Sequence, residues 1–479
     1  MVRVVKDRLA DRGRTMVQAR QANAKLAAVI AETGLSHAQV AKAFVRVALE
    51  NDAREFAGVG RSHVSHWVGG SKPSGRGVVI LCEVLSRRVG RTITPDEVGF
   101  VAEGASSGSA LDWRIDTLVE LTNLGRVDVD VDRRRVLEGA AYSVAALALP
   151  GGTWWTQMAE RGGTRGAAGV RSIGRGDLDA VRDMASLFSR VDQRRGGGHA
   201  RTAVVQYLTS DVASHLQGRF PDDEVRHGMF SVASELAYLA GWMAFDNAEH
   251  SIAQRYFGVA VKLAAEADDS PMAGHVLRAM AHQALDLGHH RKALDLAAAS
   301  MDGQRYTRAC PRERALFGVV YARALGMNGQ KSAAAEALIR AENDLAAAQQ
   351  GDDEPNRVFF FGEASLAHET ACALRDTGDL VGAAHEFRRS VRTRKAATFT
   401  RTHAVTLGYL GDVQARQGAI EEACSTWSSA LDAMDGIRSG RTRQVASNMR
   451  SVLSPFRQRG IRTVVELDAR VALHLADMA

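Results

Sequence analysis

Residues 60–76 read GRSHVSHWVGGSKPSGR, a stretch dense in hydrogen-bond donors. Val64 and Trp67 stand three apart, so on a short helix they share one face, while Arg61, Ser62, His63 and His66 take the other. Lys72 and Arg76 follow in the next loop. Such side chains can pair with anions and hydrogen-bond to a partner surface; exposed polar residues without any contact are the alternative. Several other chemistries are missing from the pattern. His63 and His66 have no third ligand of suitable type close by, and structural zinc needs four. Gly70 and Gly75 have the spacing of a phosphate-binding loop, but Arg76-Gly77 stands where Lys-Ser/Thr is required, and no strand precedes it. There is no nucleophile elbow, no HExxH and no plausible carboxylate pair. The expectation is therefore a non-enzyme without metal or cofactor.

The elements that must position these residues come from the wider composition. The chain has 479 residues, 46% of them apolar, with 45 Gly and only 8 Pro. That is enough for several helical domains with substantial cores. Net charge is +6, yet residues 1–91 hold 16 Lys+Arg against 7 Asp+Glu, and the remainder is slightly acidic. A compact basic module on a near-neutral body suits a phosphate-backbone binder; a solvated basic tail is the simpler alternative. Cys82, Cys310, Cys372 and Cys424 form no CxxC pair, so reduced thiols in a cytoplasmic setting are expected. Residues 1–22 are charged throughout and lack a secretion signal. Arg133–Pro150 imitates a twin-arginine signal, but it lies mid-chain and its apolar run is too short to span a bilayer; a buried core helix is expected there.

Five short helices are expected over residues 23–101. NAKLAAVIAETG ends at Gly34, and LSHAQVAKAFVRVAL starts on Ser36 as N-cap with Val40, Ala41 and Phe44 on one face. The segment at 60–76 follows, then the apolar GRGVVILCEVLSRRVG, and TPDEVGF closes the unit with Thr94 capping. This order resembles the helix-turn-helix domains of phage repressors and the Xre-type bacterial regulators. LSHAQVAKAF corresponds to the second helix of that family and GRSHVSHWVGGSKPS to the third helix and its following loop. The resemblance implies that Arg61, Ser62 and His66, with His63 beside them, face double-stranded DNA in the major groove, and that Lys72 and Arg76 reach phosphates. The connection NDAREFAGVG is longer than the family's usual tight turn.

Beyond a Gly/Ser-rich linker at 102–112 and a helical connecting region at 113–230, the chain repeats itself over 231–435. Ala253, Ala293, Ala334, Ala383 and Ala423 recur at spacings of 40, 41, 49 and 40. Phe257, Ala297, Leu338, Phe387 and Trp427 stand four residues later. Gly241, Ala281, Ala322, Ala371 and Gly411 stand twelve earlier. Small residues let the helices of a hairpin approach, and the larger residue is expected to fill the gap to the next hairpin. The pattern resembles the tetratricopeptide repeat, with a longer period; another α-solenoid with the same pairing stays open. The resemblance implies a superhelix whose concave face carries Glu235, Tyr238, Trp242, His275, Arg278, His282, Arg323, His368, Arg375 and Asp412. Tyr238, Trp242, Arg278, His282, Arg323 and Arg375 would then line one groove for a small anionic effector, a peptide or a partner protein. Residues 436–479 read as capping helices.

The whole layout resembles actinomycete-type regulators that join a repressor-like domain to such repeats. It implies an all-α, cytoplasmic homodimer that controls transcription. A scaffold whose N-terminal domain does not read DNA sequence is the competing reading.

Overall fold

The computed structural model describes residues 22–51, 53–100, 111, 113–129, 142–165, 171–349, 354–457 and 459–477. They are helical throughout, with no strand among them beyond one isolated bridge, Ser172 to Arg219. The basic arm at 1–22, apart from its last residue, lies outside the described residues, as does the expected linker at 102–112 apart from Leu111.

The N-terminal unit contains α1 (Ala24–Thr33), α2 (His37–Glu50), α3 (Arg61–Val68) and α4 (Gly77–Val89). Asn23 caps α1 through the Leu26 N–H, and Gly34 ends it at φ 68°. Ser36 and Gln39 form a capping box at α2. Phe44 packs edge-on to Phe56 and against Trp67, with ring centroids 5.4 and 5.0 Å apart. Around them gather Leu26, Ile30, Val40, Val64, Ile80, Leu81 and Leu85. The long α2–α3 connection is filled by a 3-10 turn at Arg54–Phe56, which delivers Phe56 to this core. TPDEVGF forms turns rather than a helix, with Thr94 and Glu97 exchanging hydrogen bonds.

The connecting region comprises α5 (Thr117–Val129), α6 (Gly152–Thr164), α7 (Arg175–Arg195) and α8 (Gly197–Tyr207), which runs through a π turn to Leu216. Part of Arg133–Pro150 lies outside the described residues. Its described end is a 3-10 turn at Val144–Leu147 flanked by irregular chain, not the expected helix, although Tyr142, Val144 and Leu147 are buried.

Five consecutive helical pairs follow: α9 (Asp223–Asp246) with α10 (His250–Glu266), α11 (Ser270–Asp286) with α12 (His290–Ser300), and α13 (Pro311–Met327) with α14 (Lys331–Ala346). Then come α15 (Glu363–Thr377) with α16 (Leu380–Thr393) and α17 (Thr400–Arg416) with α18 (Ile420–Met434). The pair α19 (Gly440–Arg457) and α20 (Arg462–Asp477) closes the chain. The marker alanines 253, 293, 334, 383 and 423 all lie on second helices and are buried. One detail departs from expectation. Phe257 and Trp427 fill the space inside their own hairpins rather than the gap to the next. A Cβ on Gly241 would lie 2.8 Å from the Phe257 ring, and one on Gly411 would lie 2.4 Å from Trp427 Nε1. Glycine is what lets these first helices seat against a large ring.

Candidate functional site

On α3, Val64 and Trp67 are buried, while Arg61, Ser62, His63, Ser65 and His66 are exposed. The helix is held from two sides: His63 Nδ1 accepts from the Gly60 N–H at 3.2 Å, and Ser65 Oγ meets His37 Nδ1 of α2 at 3.0 Å. His63 is thus committed to capping its own helix. Arg61 makes no ion pair among the described residues. Lys72 is exposed on the following loop. Arg76 departs from its expected role, because its guanidinium is turned inward. It grips both oxygens of Glu55 at 2.9 and 3.2 Å and donates to the Asn51 carbonyl at 3.1 Å, which fixes the α2–α3 connection to α4. Arg87 and Arg91 are likewise paired, with Glu83 and Glu50 and with Glu32 and Glu97. Much of this unit's positive charge is therefore paired within it, whereas Arg61 stays outward.

The opposite side of the unit is clasped to the helical pairs. Glu83 of α4, 2% exposed, accepts from His289 Nε2 at 2.5 Å, from Arg87 Nε at 2.9 Å and from the Val144 N–H at 3.3 Å. Asn51 Oδ1 accepts from the Tyr142 N–H at 2.9 Å, and the Tyr142 ring stacks on His289. Burial pushes the Glu83 carboxyl up, but His289 and Arg87 outweigh it and hold it below its usual value. The α3 face stays open while α4 is docked.

The concave side of the pairs is not one open groove. α7 lies across it, with Asp192 accepting from Arg401 of α17 at 3.0 Å; Arg401 also reaches Asp246 at 2.8 Å. This leaves a narrow, partly open cavity of about 90 Å³, lined by Tyr238, Trp242, Arg278, Phe360, Glu369, Arg394 and Arg401 among others. A larger, open cleft of about 930 Å³ lies between α2 and the pairs, lined by Lys42, Arg46, Arg323, Arg375, Asp376 and Asp412. The six expected groove residues are therefore divided. Tyr238, Trp242 and Arg278 face the cavity; Arg323 and Arg375 face the cleft. His282 is buried between Asp286, 3.6 Å away, and Arg441, 2.9 Å away.

Arg323 and Arg375 already have anionic partners within the chain. Arg323 is held by Asp376 at 2.7 Å and Asp286 at 3.1 Å, and Arg375 donates to Asp376 at 2.8 Å with its guanidinium over Tyr409. Asp286 and Asp376 come from the C-terminal ends of first helices, four residues after His282 and immediately after Arg375. Burial drives the imidazoles of His282 and His368 well below their ordinary range, so both are neutral.

Arg394, Arg401, Arg441 and Glu369 escaped the sequence reading. Arg394 and Arg401 bracket the connection between α16 and α17 and fall outside the repeat phase. Their signal, three arginines in the short run Arg392–Arg401, is indistinguishable in sequence from a solvated loop.

Among the described residues no group of three or more His, Cys, Asp or Glu is placed to hold a metal ion, and no helix is long and apolar enough to cross a membrane. Burial lifts the Cys82 and Cys372 thiols to about 12, which makes them inert packing groups. The family model described as the SP15 N-terminal domain matches residues 26–101, the unit carrying α1–α4. No curated protein and no solved structure matches the chain.

Proposed function

We propose that this chain is a sequence-specific DNA-binding regulator of transcription. In this reading α2 and α3 form a helix-turn-helix, α3 reads base edges, and a tetratricopeptide-like array senses a ligand or partner. The observation that carries it is the division of α3. Its two apolar residues are locked into the core, while Arg61, Ser62, Ser65 and His66 are exposed on a helix capped by His63 and tied to α2 through Ser65. Eight residues make about two turns, a length that fits a major groove with its N-terminal residues toward the bases. The docking of α4 against the array leaves this face free. A homodimer would present two such helices to paired half-sites.

The test is selection of bound sequences from a random duplex library with the full-length chain, followed by affinity measurement on the selected site and on random DNA. Arg61→Ala and His66→Ala should each cost about 1–3 kcal/mol on the selected site and much less on random DNA. Lys72→Ala should weaken both about equally. Failure to enrich any motif would favour a scaffold in which α3 contacts protein.

A further inference from the structure

The arginines around the interior cavity are of two kinds. Arg357 is paired with Glu313 and Glu235, Arg401 with Asp192 and Asp246, and Arg441 with Asp286. Arg278 and Arg394 have no carboxylate within 4 Å among the described residues. Arg278, 2% exposed, donates to Tyr238 Oη and contacts His275 Nε2, both at 3.1 Å, with its guanidinium over the rings of Tyr238 and Trp242. Arg394, 7% exposed, donates to the Ala364 carbonyl at 2.9 Å and Ser390 Oγ at 3.0 Å. The Nε of each is buried without a partner. Asp192, Glu235 and Glu369 share the cavity with them, and of these Glu369 has no arginine within 4 Å. Its Oε2 is unpartnered, and its Oε1 lies 4.0 Å from the neutral His282.

Arg278 and Arg394 thus line the cavity as guanidiniums without a carboxylate partner. A buried unpaired cation is costly, and an anion offsets that cost where solvent is excluded. The guanidinium fork matches a planar carboxylate in two hydrogen bonds. Size narrows the choice further. A cavity of roughly 150 Å³ is what accepts a benzene ring, and this one offers about 90 Å³. Closure by α7 also denies an extended peptide the length of the groove.

We propose that this cavity binds a small monocarboxylate of about two to four carbons. Its carboxylate is held by Arg278 and Arg394, and its apolar stem lies against Trp242 and Phe360. The assignment deepens the reading of the array as a sensor and rests on that reading for its biological role, though not for the binding itself.

Butyrate, butyramide, glycine and inorganic phosphate are titrated calorimetrically into the full-length chain at constant ionic strength, with thermal melts alongside. Butyrate should bind one to one and raise the melting temperature, and its uncharged isostere butyramide should do neither. Arg278→Met and Arg394→Met should each weaken butyrate at least tenfold. Ligand-free Arg394→Met should melt at or above wild type, because a buried unpaired charge is gone. Phe360→Trp keeps both arginines but fills the space, and it should also block butyrate. Equal binding of butyrate and butyramide, or full butyrate affinity in Arg394→Met, overturns the proposal. Tighter binding of phosphate than of butyrate overturns the carboxylate assignment, and tighter binding of glycine than of butyrate overturns the apolar stem. None of these measurements involves DNA. Arginine-dependent butyrate binding without any selected DNA motif would therefore remove the regulator reading and leave the cavity standing.

Discussion

Replacing Gly411 by alanine sets two effects of opposite sign against each other. Gly411 lies inside α17, where alanine is favoured over glycine by about 1 kcal/mol on helix propensity alone. Against this, the new Cβ would sit 2.4 Å from Trp427 Nε1 and 2.5 Å from Cδ1, far inside the roughly 3.5–4.0 Å of ordinary carbon contact. Trp427 is 1% exposed and its indole N–H donates to the Gly408 carbonyl at 3.0 Å, so the ring cannot swing away without losing that bond. Overpacking costs about 1–3 kcal/mol and an orphaned buried donor about 1–3 more. Sterics should win, with a net destabilisation of about 1–5 kcal/mol. Stacked hairpins need not unfold in one step, so urea melts should be joined by hydrogen exchange, with lost protection concentrated in α17 and α18. In the double variant Gly411→Ala, Trp427→Phe, the smaller ring should recover at least about 1 kcal/mol relative to the sum of the singles. A Gly411→Ala protein as stable as wild type would mean that the small-against-large pairing within hairpins is wrong.

Two further outcomes are expected. Burial lowers the imidazoles of His250 and His275 to about 4, from an ordinary 6.5. Below 6.5 the unfolded chain takes up these protons before the folded one does. Their stabilising effect is therefore full above 6.5 and lost as pH falls toward 4, by on the order of 5 kcal/mol for the pair between 6.5 and 4.5. Urea unfolding at pH 7 and pH 5 measures this, and equal stabilities would contradict it. Glu313, held down to about 2 by Arg357 and His275, does not titrate in this window, but Asp192, which burial lifts to about 6, acts with the opposite sign and offsets part of the loss. Separately, His289→Ala removes a partner from the buried Glu83 and should cost about 3 kcal/mol. Hydrogen exchange should rise in α4 above all; unchanged protection there would show that the clasp does not hold the N-terminal unit.

What the sequence made legible was local. The capping box at Ser36–Gln39, the Val64/Trp67 spacing and the recurring alanines each express a helical period within a few residues, and the helices and buried faces follow. The polar assignments went astray where partners lie far apart in the chain. Arg76 looks like a phosphate contact until Glu55 is folded beside it, and Arg323 looks like a free groove cation until Asp286 and Asp376 meet it. Cations can be counted along a helix face, but their counter-ions come from neighbouring helices whose register is set by packing. The same holds for α7, whose amphipathic pattern was plain while its place across the concave face was not. Asp192 and Arg401, the pair that pins it there, are separated by 209 positions.

The placement of α11 ties the two proposed sites together. Its middle turn carries Arg278 into the cavity. Its last turn carries His282 and Asp286 into the ion pairs with Arg323 and Arg441, and three residues beyond its end His289 holds Glu83 of α4. At about 1.5 Å per residue, the eight positions from Arg278 to Asp286 span roughly 12 Å of one helix. A ligand that merely fills the cavity would not alter DNA binding; it must bind one docked arrangement of α4 better than another. Arg278 is suited to make that difference. Without an anion its guanidinium depends on Tyr238, His275 and Trp242, and with one it gains a carboxylate partner. Arg278, His282, Asp286 and His289 thus follow one another along α11 and the turn after it.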